Sequence, residues 1–153
     1  MPEYKVAVIM GSPNDRPKME PAAETLAAFG ITADVQVMSA HRSPARVAEF
    51  VGSARANGYS AIIAAAGMAA HLAGAAAAHT TLPVIGVPLS GGALNGVDAL
   101  YSTVQMPRGI PVATVAVDGA VNAALLVVQI LAVTDEALVA ALADDRAARA
   151  AAT

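Results

Sequence analysis

The residues best suited to chemistry are two neighbours, His41 and Arg42, in a short polar segment of the chain. A histidine side chain can accept and donate a proton near neutral pH, as a general acid–base catalyst must. The planar guanidinium of an arginine presents a fork of N–H donors that matches the oxygens of a phosphate group. A lone pair of this kind is more often a surface hydrogen bond at the start of a helix. Its interpretation therefore depends on which other segments face it.

A second polar segment, residues 11–15, lies between a short apolar run and a helical stretch. Backbone N–H groups at the start of a helix favour an anionic ligand, and the Asp15 carboxylate beside them can accept hydrogen bonds from ribose hydroxyls. The alternative, to which we give equal weight, is a helix start capped by Asn14 or Asp15 that needs no ligand. The segment lacks the lysine and the further glycines of a P-loop or a dinucleotide-binding fingerprint.

A third segment, residues 67–72, combines small residues with a second histidine, His71. Small side chains allow a ligand to approach the backbone closely. By its spacing alone His71 is more often a core or capping histidine, and we assign His79 to solvent. The chain has 3 His, no Cys and no pair at metal-ligand spacing, so we expect no metal site. No serine lies in a nucleophile-elbow motif, which argues against covalent hydrolase chemistry.

These segments follow short β-branched runs that alternate with alanine-rich helical stretches. Such alternation is typical of βαβ units around a parallel sheet, whose strands all end at the edge where ligands bind. We therefore predict an α/β fold with three layers, α/β/α, in a single domain over residues 1–153 with C-terminal helices. The predicted strands are residues 5–10, 32–37 (near an edge), 61–65, 84–87 and 112–117. The predicted helices run to about Phe29 and then span residues 44–57, 69–79, 97–104, 120–133 and 134–150, with a frayed tail at 149–153.

The composition excludes several classes of function. The chain has 153 residues, of which 56% are hydrophobic and only 14% charged, and its net charge is −3. Because it has no basic stripe and few aromatic residues, we do not expect it to bind a nucleic-acid polymer. No apolar run approaches the ~20 residues of a membrane span. The lack of cysteine is compatible with a reducing cytoplasm, and the strand at residues 5–10 leaves no room for a signal peptide, so we expect a cytoplasmic protein.

The same composition points to assembly. A small chain with so little charge has few polar groups with which to cover its surface. The helix at residues 120–133 is apolar nearly all round, and the helix at residues 134–150 has few large side chains with which to cover it. We therefore expect neighbouring subunits to bury part of this surface in a closed homo-oligomer.

The polar segments and their neighbours together resemble one family closely, the class I N5-carboxyaminoimidazole ribonucleotide mutases. The resemblance covers roughly residues 4–145 in order and without large gaps, and its several independent blocks argue against chance agreement. It is carried by Met10-Gly11-Ser12 with Asp15, Ser39-Ala40-His41-Arg42 with Pro44, Ala69-Ala70-His71-Leu72 with Gly74, Leu82-Pro83-Val84-Ile85-Gly86-Val87-Pro88, and the long block from Gly96 to Pro107.

The resemblance implies a flavodoxin-like sheet of five parallel strands and a homo-octamer whose sites lie between subunits. It also implies a ribonucleotide substrate and a cofactor-free reaction of purine biosynthesis, in which a carboxylate moves from the exocyclic nitrogen to C4 of an aminoimidazole. By the same resemblance His41 is the general acid/base. Ser12, Asp15 and Arg42 hold the ribonucleotide, with Asn14 at a position where the family usually has serine. The other residues expected to line the site are Ser39, Ala40, Gly67, Ala70, His71 and Leu72.

The chain departs from the family pattern close to the site. Ala65, Met68 and Ala73 stand where the family commonly has Gly, Gly and Pro. Met68 matters most, because it places a thioether beside the loop that faces the imidazole and is expected to narrow the CO2 pocket. Two other functions stay open, a carboxylase that uses 5-aminoimidazole ribonucleotide with free CO2 and a catalytically silent nucleotide-binding module. The presence of His41 argues against the silent module, and the residues around His71 favour the mutase.

Overall fold

A sheet of five parallel strands forms the centre of the molecule, which a computed structural model describes over residues 2–153. The strands are β1 (Lys5–Met10), β2 (Thr32–Val37), β3 (Ala61–Gly67), β4 (Val84–Leu89) and β5 (Ala113–Thr114). Their order across the sheet is β2-β1-β3-β4-β5, and every neighbouring pair is parallel. The predicted flavodoxin-like sheet is therefore confirmed, with β2 at an edge.

Helices cover both faces of this sheet and complete three layers. Within residues 2–153 they are α1 (Arg16–Ala28), α2 (Pro44–Ala54), α3 (Leu72–Ala77), α4 (Val97–Val104), α5 (Ala120–Ala132) and α6 (Glu136–Ala151), and a 3-10 helix (Pro13–Asp15) precedes α1. α1, α5 and α6 share one hydrophobic core with the sheet, whereas α2 and α3 share the other. The α/β/α architecture with two C-terminal helices is confirmed. In the part of the chain that the structure describes, no helix combines the length and apolar character needed to cross a membrane.

Alternate side chains of the strands fill a separate core on each face. In β1, Val6, Val8 and Met10 are fully buried beneath α1 and α5, whereas Ala7 and Ile9 are fully buried beneath α2 and α3. A parallel strand covered on both faces has such a continuous apolar sequence. Burial of a side chain as large as Ile9 contributes ~1.5–3 kcal/mol. The sheet is thus a well-packed base from which the loops at its carboxyl edge project.

The third helix is shorter than the prediction of residues 69–79. Residues 69–71 form tight turns instead, in which Ala70 N donates to Met68 O at 2.8 Å and His71 N donates to Ala69 O at 2.9 Å. Met68 adopts a left-handed backbone conformation with φ of 50°, which an α-helix cannot include. The alanines favour a helix from Ala69, but this turn delays its start to Leu72.

The fifth strand is also shorter than the predicted residues 112–117. β5 pairs with β4 over two residues, and Val115 N adds one bond to Gly86 O at 3.1 Å. Beyond that point the ladder meets Pro88, which has no N–H to donate, although its carbonyl accepts from Asp118 N at 2.8 Å. The apolar pattern of residues 112–117 could not reveal this, because the interruption lies in the neighbouring strand.

The other differences concern the ends of elements. β3 and β4 each extend two residues beyond their predicted ends, because they pair with each other as far as Gly67 and Leu89. α2 ends at Ala54, earlier than predicted, and Gly58 closes the turn that follows with φ of 82°. α6 continues to Ala151 where a frayed tail was expected, and the Arg149 side chain on its last turns donates to Asp145 at 2.7 Å.

Candidate active site

The loops that follow β1, β2, β3 and β4 meet at the carboxyl edge of the sheet and line a cleft of about 470 Å³. The strand order reverses direction at β1 and β3, which is where open parallel sheets bind ligands. The structure brings together all the residues assigned to the site from the sequence except Ala70. Those that line the cleft are Ser12, Asn14, Asp15, Ser39, Ala40, His41, Arg42, Gly67, His71 and Leu72.

The loop after β1 places the Asp15 carboxylate in the cleft at the start of α1. Ser12 caps the 3-10 helix, because its hydroxyl oxygen accepts a hydrogen bond from Asn14 N at 3.2 Å. Asp15 occupies the N-cap position of α1, but its side chain makes no capping hydrogen bond. Burial raises the pKa of Asp15, and the charge of Lys18 and a backbone hydrogen bond at Ser12 only partly offset this effect. The capping role thus belongs to Ser12, and the Asp15 carboxylate is available to a ligand.

The loop after β2 is closed by two serines and presents His41 and Arg42 at its tip. Ser43 Oγ donates to Ser39 O at 3.1 Å, and Ser39 Oγ accepts a hydrogen bond from Arg42 N at 3.1 Å. These bonds fix the backbone of the loop, while the side chains of His41 and Arg42 remain exposed. Among residues 2–153, no carboxylate forms an ion pair with Arg42. Its guanidinium is therefore free to bind an anionic group.

Two imidazole rings form one wall of the cleft. The centroids of the His41 and His71 rings lie 5.3 Å apart, and the ring planes are inclined by 34°. His71 stands at the N-cap position of α3, but its side chain makes no capping hydrogen bond and it is exposed rather than buried in the core. His71 is therefore neither a core histidine nor a helix-capping histidine. A ligand in this cleft would have two groups within reach that can exchange a proton.

Met68 is the first residue of the loop after β3, and its side chain packs against the loop after β4. It lines the cleft, and 59% of its surface is exposed. Its side chain leans over Gly92, so that a Cβ atom added to Gly92 would lie only 3.1 Å from Met68 Cγ. The left-handed conformation of Met68 is one that glycine adopts without steric cost, so this backbone would suit the glycine that the resemblance leads one to expect here. The expected narrowing of a CO2 pocket by Met68 stays a prediction.

One wall of the cleft was not predicted from the sequence, and one predicted residue, Ala70, does not line the cleft. Ser90, Gly91 and Gly92 follow β4 and line the cleft next to Met68. The signal for them was the pair of glycines at the end of a strand, and both have positive φ values, 142° and 66°. Ala70, by contrast, is only 1% exposed, because the turns before α3 direct it into the protein.

The groups in the cleft suit an anionic, hydroxylated ligand. Arg42 can bind a phosphate, and the N–H groups at the start of the 3-10 helix and α1 favour negative charge. Asp15 can accept hydrogen bonds from hydroxyl groups, and the histidine pair can move a proton. Within residues 2–153, no three side chains among His, Cys, Asp and Glu are grouped in a way that could hold a metal ion.

Comparisons with known proteins identify the family. A sequence model described as AIR carboxylase matches residues 5–152. The N5-carboxyaminoimidazole ribonucleotide mutase of Brucella melitensis is 55% identical over 146 residues, which cover 94% of this chain and 90% of that protein. The protein of the same name from Escherichia coli K12 is 52% identical over 147 residues, with coverage of 95% and 87%. The crystal structure of Treponema denticola PurE matches with a TM-score of 0.88 at 28% identity and covers 97% of this chain and 92% of that one. This chain therefore belongs to the AIR carboxylase family.

Proposed function

We propose that this protein is a class I N5-carboxyaminoimidazole ribonucleotide mutase of purine biosynthesis. It converts its substrate to 4-carboxy-5-aminoimidazole ribonucleotide by moving one carboxylate within the molecule. The relatives of this name from Brucella melitensis and Escherichia coli K12 are 55% and 52% identical and match most of the chain. The observation that carries the proposal is the cleft itself, where a pair of histidines, an arginine without an ion-pair partner among residues 2–153 and the Asp15 carboxylate converge.

In the proposed mechanism, His41 moves the single proton that the reaction requires. The bond between the exocyclic nitrogen and the carboxylate carbon breaks and releases CO2, while protonated His41 gives its proton to that nitrogen. C4 of the electron-rich imidazole then attacks the CO2, and neutral His41 removes the proton from C4. The histidine ends in its starting state and the reaction is a balanced isomerisation. Such acid–base assistance typically contributes ~10²–10⁴-fold to the rate.

The remaining residues of the cleft hold the ribonucleotide in place. Arg42 binds the phosphate, Asp15 accepts hydrogen bonds from the ribose, and Ser12 and Asn14 contribute polar groups at the start of α1. Ser39, Ala40, Gly67, His71 and Leu72 complete the lining, whereas the buried position of Ala70 limits it to supporting its neighbours.

The reaction uses no cofactor, because the substrate carries its own CO2 and its own nucleophilic carbon. Holding CO2 beside C4 is a proximity effect, which reaches ~7–11 kcal/mol in well-oriented cases.

The proposed octamer would supply the enclosure that a single chain lacks. His41, Arg42 and Met68 are all exposed on the isolated chain, so the cleft is too open to retain CO2. A neighbouring subunit packed over the cleft would exclude water and complete the site. A cytoplasmic location belongs to the same proposal and is consistent with a biosynthetic enzyme.

A carboxylase is the second candidate, favoured by the description of the matching family as AIR carboxylase. The two functions differ in their substrate. The carboxylase takes 5-aminoimidazole ribonucleotide and CO2, whereas the mutase takes the N5-carboxylated ribonucleotide. The experiment is to measure the initial rates with N5-carboxyaminoimidazole ribonucleotide and with 5-aminoimidazole ribonucleotide plus bicarbonate, both without ATP. We expect the first rate to be much the higher, and a faster reaction of the second pair would contradict the class I assignment.

A further inference from the structure

The loop that follows β4 is held by an acidic residue from another part of the chain. Ser90 N donates a hydrogen bond to Asp118 Oδ1 at 2.9 Å, and Ser90 Oγ donates to Asp118 Oδ2 at 2.5 Å. Asp118 follows β5 and is itself anchored, since its N–H donates to Pro88 O at 2.8 Å. Both oxygens of one carboxylate thus join the loops after β4 and β5.

A lysine from α1 completes this arrangement. Lys18 Nζ donates to Ser90 O at 2.6 Å and to Ser90 Oγ at 3.0 Å, and it lies 4.0 Å from Asp118 Oδ1. Lys18 is less than one helical turn after Asp15, whose carboxylate lines the cleft. We call Lys18, Ser90 and Asp118 the Ser90 clasp. It connects the wall of the cleft at the start of α1 with the wall formed after β4.

The residues next to the clasp need such support. Gly91 and Gly92 line the cleft, and glycine has more backbone freedom than any other residue, so these two do not hold one conformation unaided. Asp118 also adopts a left-handed conformation, with φ of 59°, which a non-glycine residue keeps only where its surroundings require it. Burial acts to raise the pKa of Asp118, but the hydrogen bonds from Ser90 and the charge of Lys18 lower it overall, so the carboxylate is ionised at neutral pH.

We propose that the Ser90 clasp fixes Gly91 and Gly92 as the wall of the cleft against which the ribonucleotide is positioned. Lys18 and Asp118 do not line the cleft, so they are positioning residues that act through Ser90. The proposal rests on the function proposed above and adds residues that the sequence did not assign to the site. It predicts that loss of the clasp lowers catalysis more than it lowers stability.

The test uses Asp118→Ala and Asp118→Gly, with Asp145→Ala as the matched control. Glycine fits the left-handed backbone at position 118, so Asp118→Gly removes the carboxylate while it relieves the conformational cost and keeps the protein folded. Asp145 also accepts a hydrogen bond from a basic side chain, Arg149, but it lies on α6 and does not line the cleft. For each purified protein, kcat and KM are measured with N5-carboxyaminoimidazole ribonucleotide. Hydrogen exchange at residues 90–92 and thermal unfolding are measured in the same buffer.

We expect both Asp118 variants to lose roughly 10- to 100-fold in kcat/KM, because a displacement of about 1 Å in a site can cost ~10²-fold. Backbone amides at residues 90–92 should exchange faster in both variants, and Asp145→Ala should match the wild-type protein in both measurements. A folded Asp118→Gly variant with wild-type kcat/KM, or with unchanged exchange at residues 90–92, would overturn the positioning role. A wild-type protein that does not convert the substrate would contradict the proposed function rather than the positioning role. That result is obtained before any variant is made.

Discussion

His41 is the residue on which the proposed chemistry depends. It lies at the tip of a loop whose backbone is fixed by Ser39 and Ser43, so replacing its side chain leaves the loop intact. We expect His41→Asn to reduce kcat by ~10²–10⁴-fold. Binding of 4-carboxy-5-aminoimidazole ribonucleotide, measured by titration calorimetry, should stay close to the wild-type value. A variant that keeps most of its kcat would show that the proton moves through another group, and His71, with its ring 5.3 Å away, is the first to examine.

We expect Asp15 to make the binding of substrate depend on pH. Because burial raises the pKa of Asp15, this carboxylate becomes protonated at a higher pH than an ordinary aspartate does. Protonation removes an acceptor for the ribose hydroxyls, so KM should rise as the pH is lowered toward that pKa. Asp15→Asn should raise KM at neutral pH and abolish the further rise in acid. Arg42→Ala should raise KM as well and keep the acid dependence, since a contact made equally in ground and transition states appears in KM.

The measurement is KM for the nucleotide across the acidic range in the wild-type protein and the two variants. If either substitution left KM unchanged, that residue would be a structural group at a helix start rather than a ligand contact.

Met68 departs from the family pattern, and its effect on the free energy of unfolding can be measured. Its left-handed backbone costs a non-glycine residue ~1–2 kcal/mol, whereas glycine costs ~0.5–1 kcal/mol through its greater freedom in the unfolded chain. Met68→Gly should therefore leave the free energy of unfolding unchanged or raise it by about 1 kcal/mol. Met68→Val should lower it, because a β-branched residue is strongly disfavoured in this conformation. Urea unfolding of the three proteins checks this. A clear loss of stability in Met68→Gly would mean that contact of the methionine with Gly92 outweighs the backbone strain.

At the scale of elements, the start of α6 joins the two ends of the chain. Asp135 caps α6 by accepting hydrogen bonds from Ala137 N at 3.0 Å and Leu138 N at 3.4 Å, and its other oxygen accepts from Tyr4 Oη at 3.1 Å. Loss of a helix cap typically costs ~1 kcal/mol, with a range of about 0.5–2. We expect Asp135→Ala to lower the free energy of unfolding by about that amount and to leave kcat unchanged. Asp135→Asn, which keeps a capping oxygen, is the control. An equal loss in both variants would contradict the capping explanation.

The sequence predicts the elements well where the determining contacts are local. β1, β2 and α4 match their predicted bounds, because apolar periodicity and nearby turn residues define them. β5 was predicted too long, since it is limited by Pro88 of the neighbouring strand. The site follows the same rule. Ser12, His41 and His71 could be placed at the carboxyl edge because each follows its own strand, and the family resemblance then implied their roles. Ser90 instead acquires its role through Asp118, 28 residues away, and Lys18, 72 residues away.

For the whole molecule, we expect another subunit to cover α4 rather than α5, the helix expected from the sequence. The large apolar side chains of α5 are buried or half-buried between α1 and α6, so this helix does not need cover from another subunit. A row of apolar residues remains on α4 and the segment before it, where Leu94, Val97, Tyr101 and Val104 are 61%, 50%, 61% and 45% exposed. Their spacing places them along one side of the helix, as expected for a surface that packs against another chain.

We expect Tyr101→Glu to dissociate the assembly and to remove activity with it, because it places a charge within this apolar row. Tyr101→Phe keeps the row apolar and should retain both the assembly and the activity. Sedimentation velocity and activity are measured on the same samples at the same protein concentration. A monomer that keeps full activity, in the wild-type protein or in Tyr101→Glu, would contradict both the octamer and the shared site.

In the proposed mutase reaction, one carboxylate stays within the site while it moves from nitrogen to carbon. The most direct measurement follows a ¹³C label in the carboxylate of N5-carboxyaminoimidazole ribonucleotide during turnover in excess unlabelled bicarbonate, without ATP. A mutase retains the released CO2, so the product should carry the label in its C4 carboxylate at nearly the enrichment of the substrate. A product with unlabelled carboxylate would show that CO2 leaves the site and is replaced from solution, and the protein would then be a carboxylase.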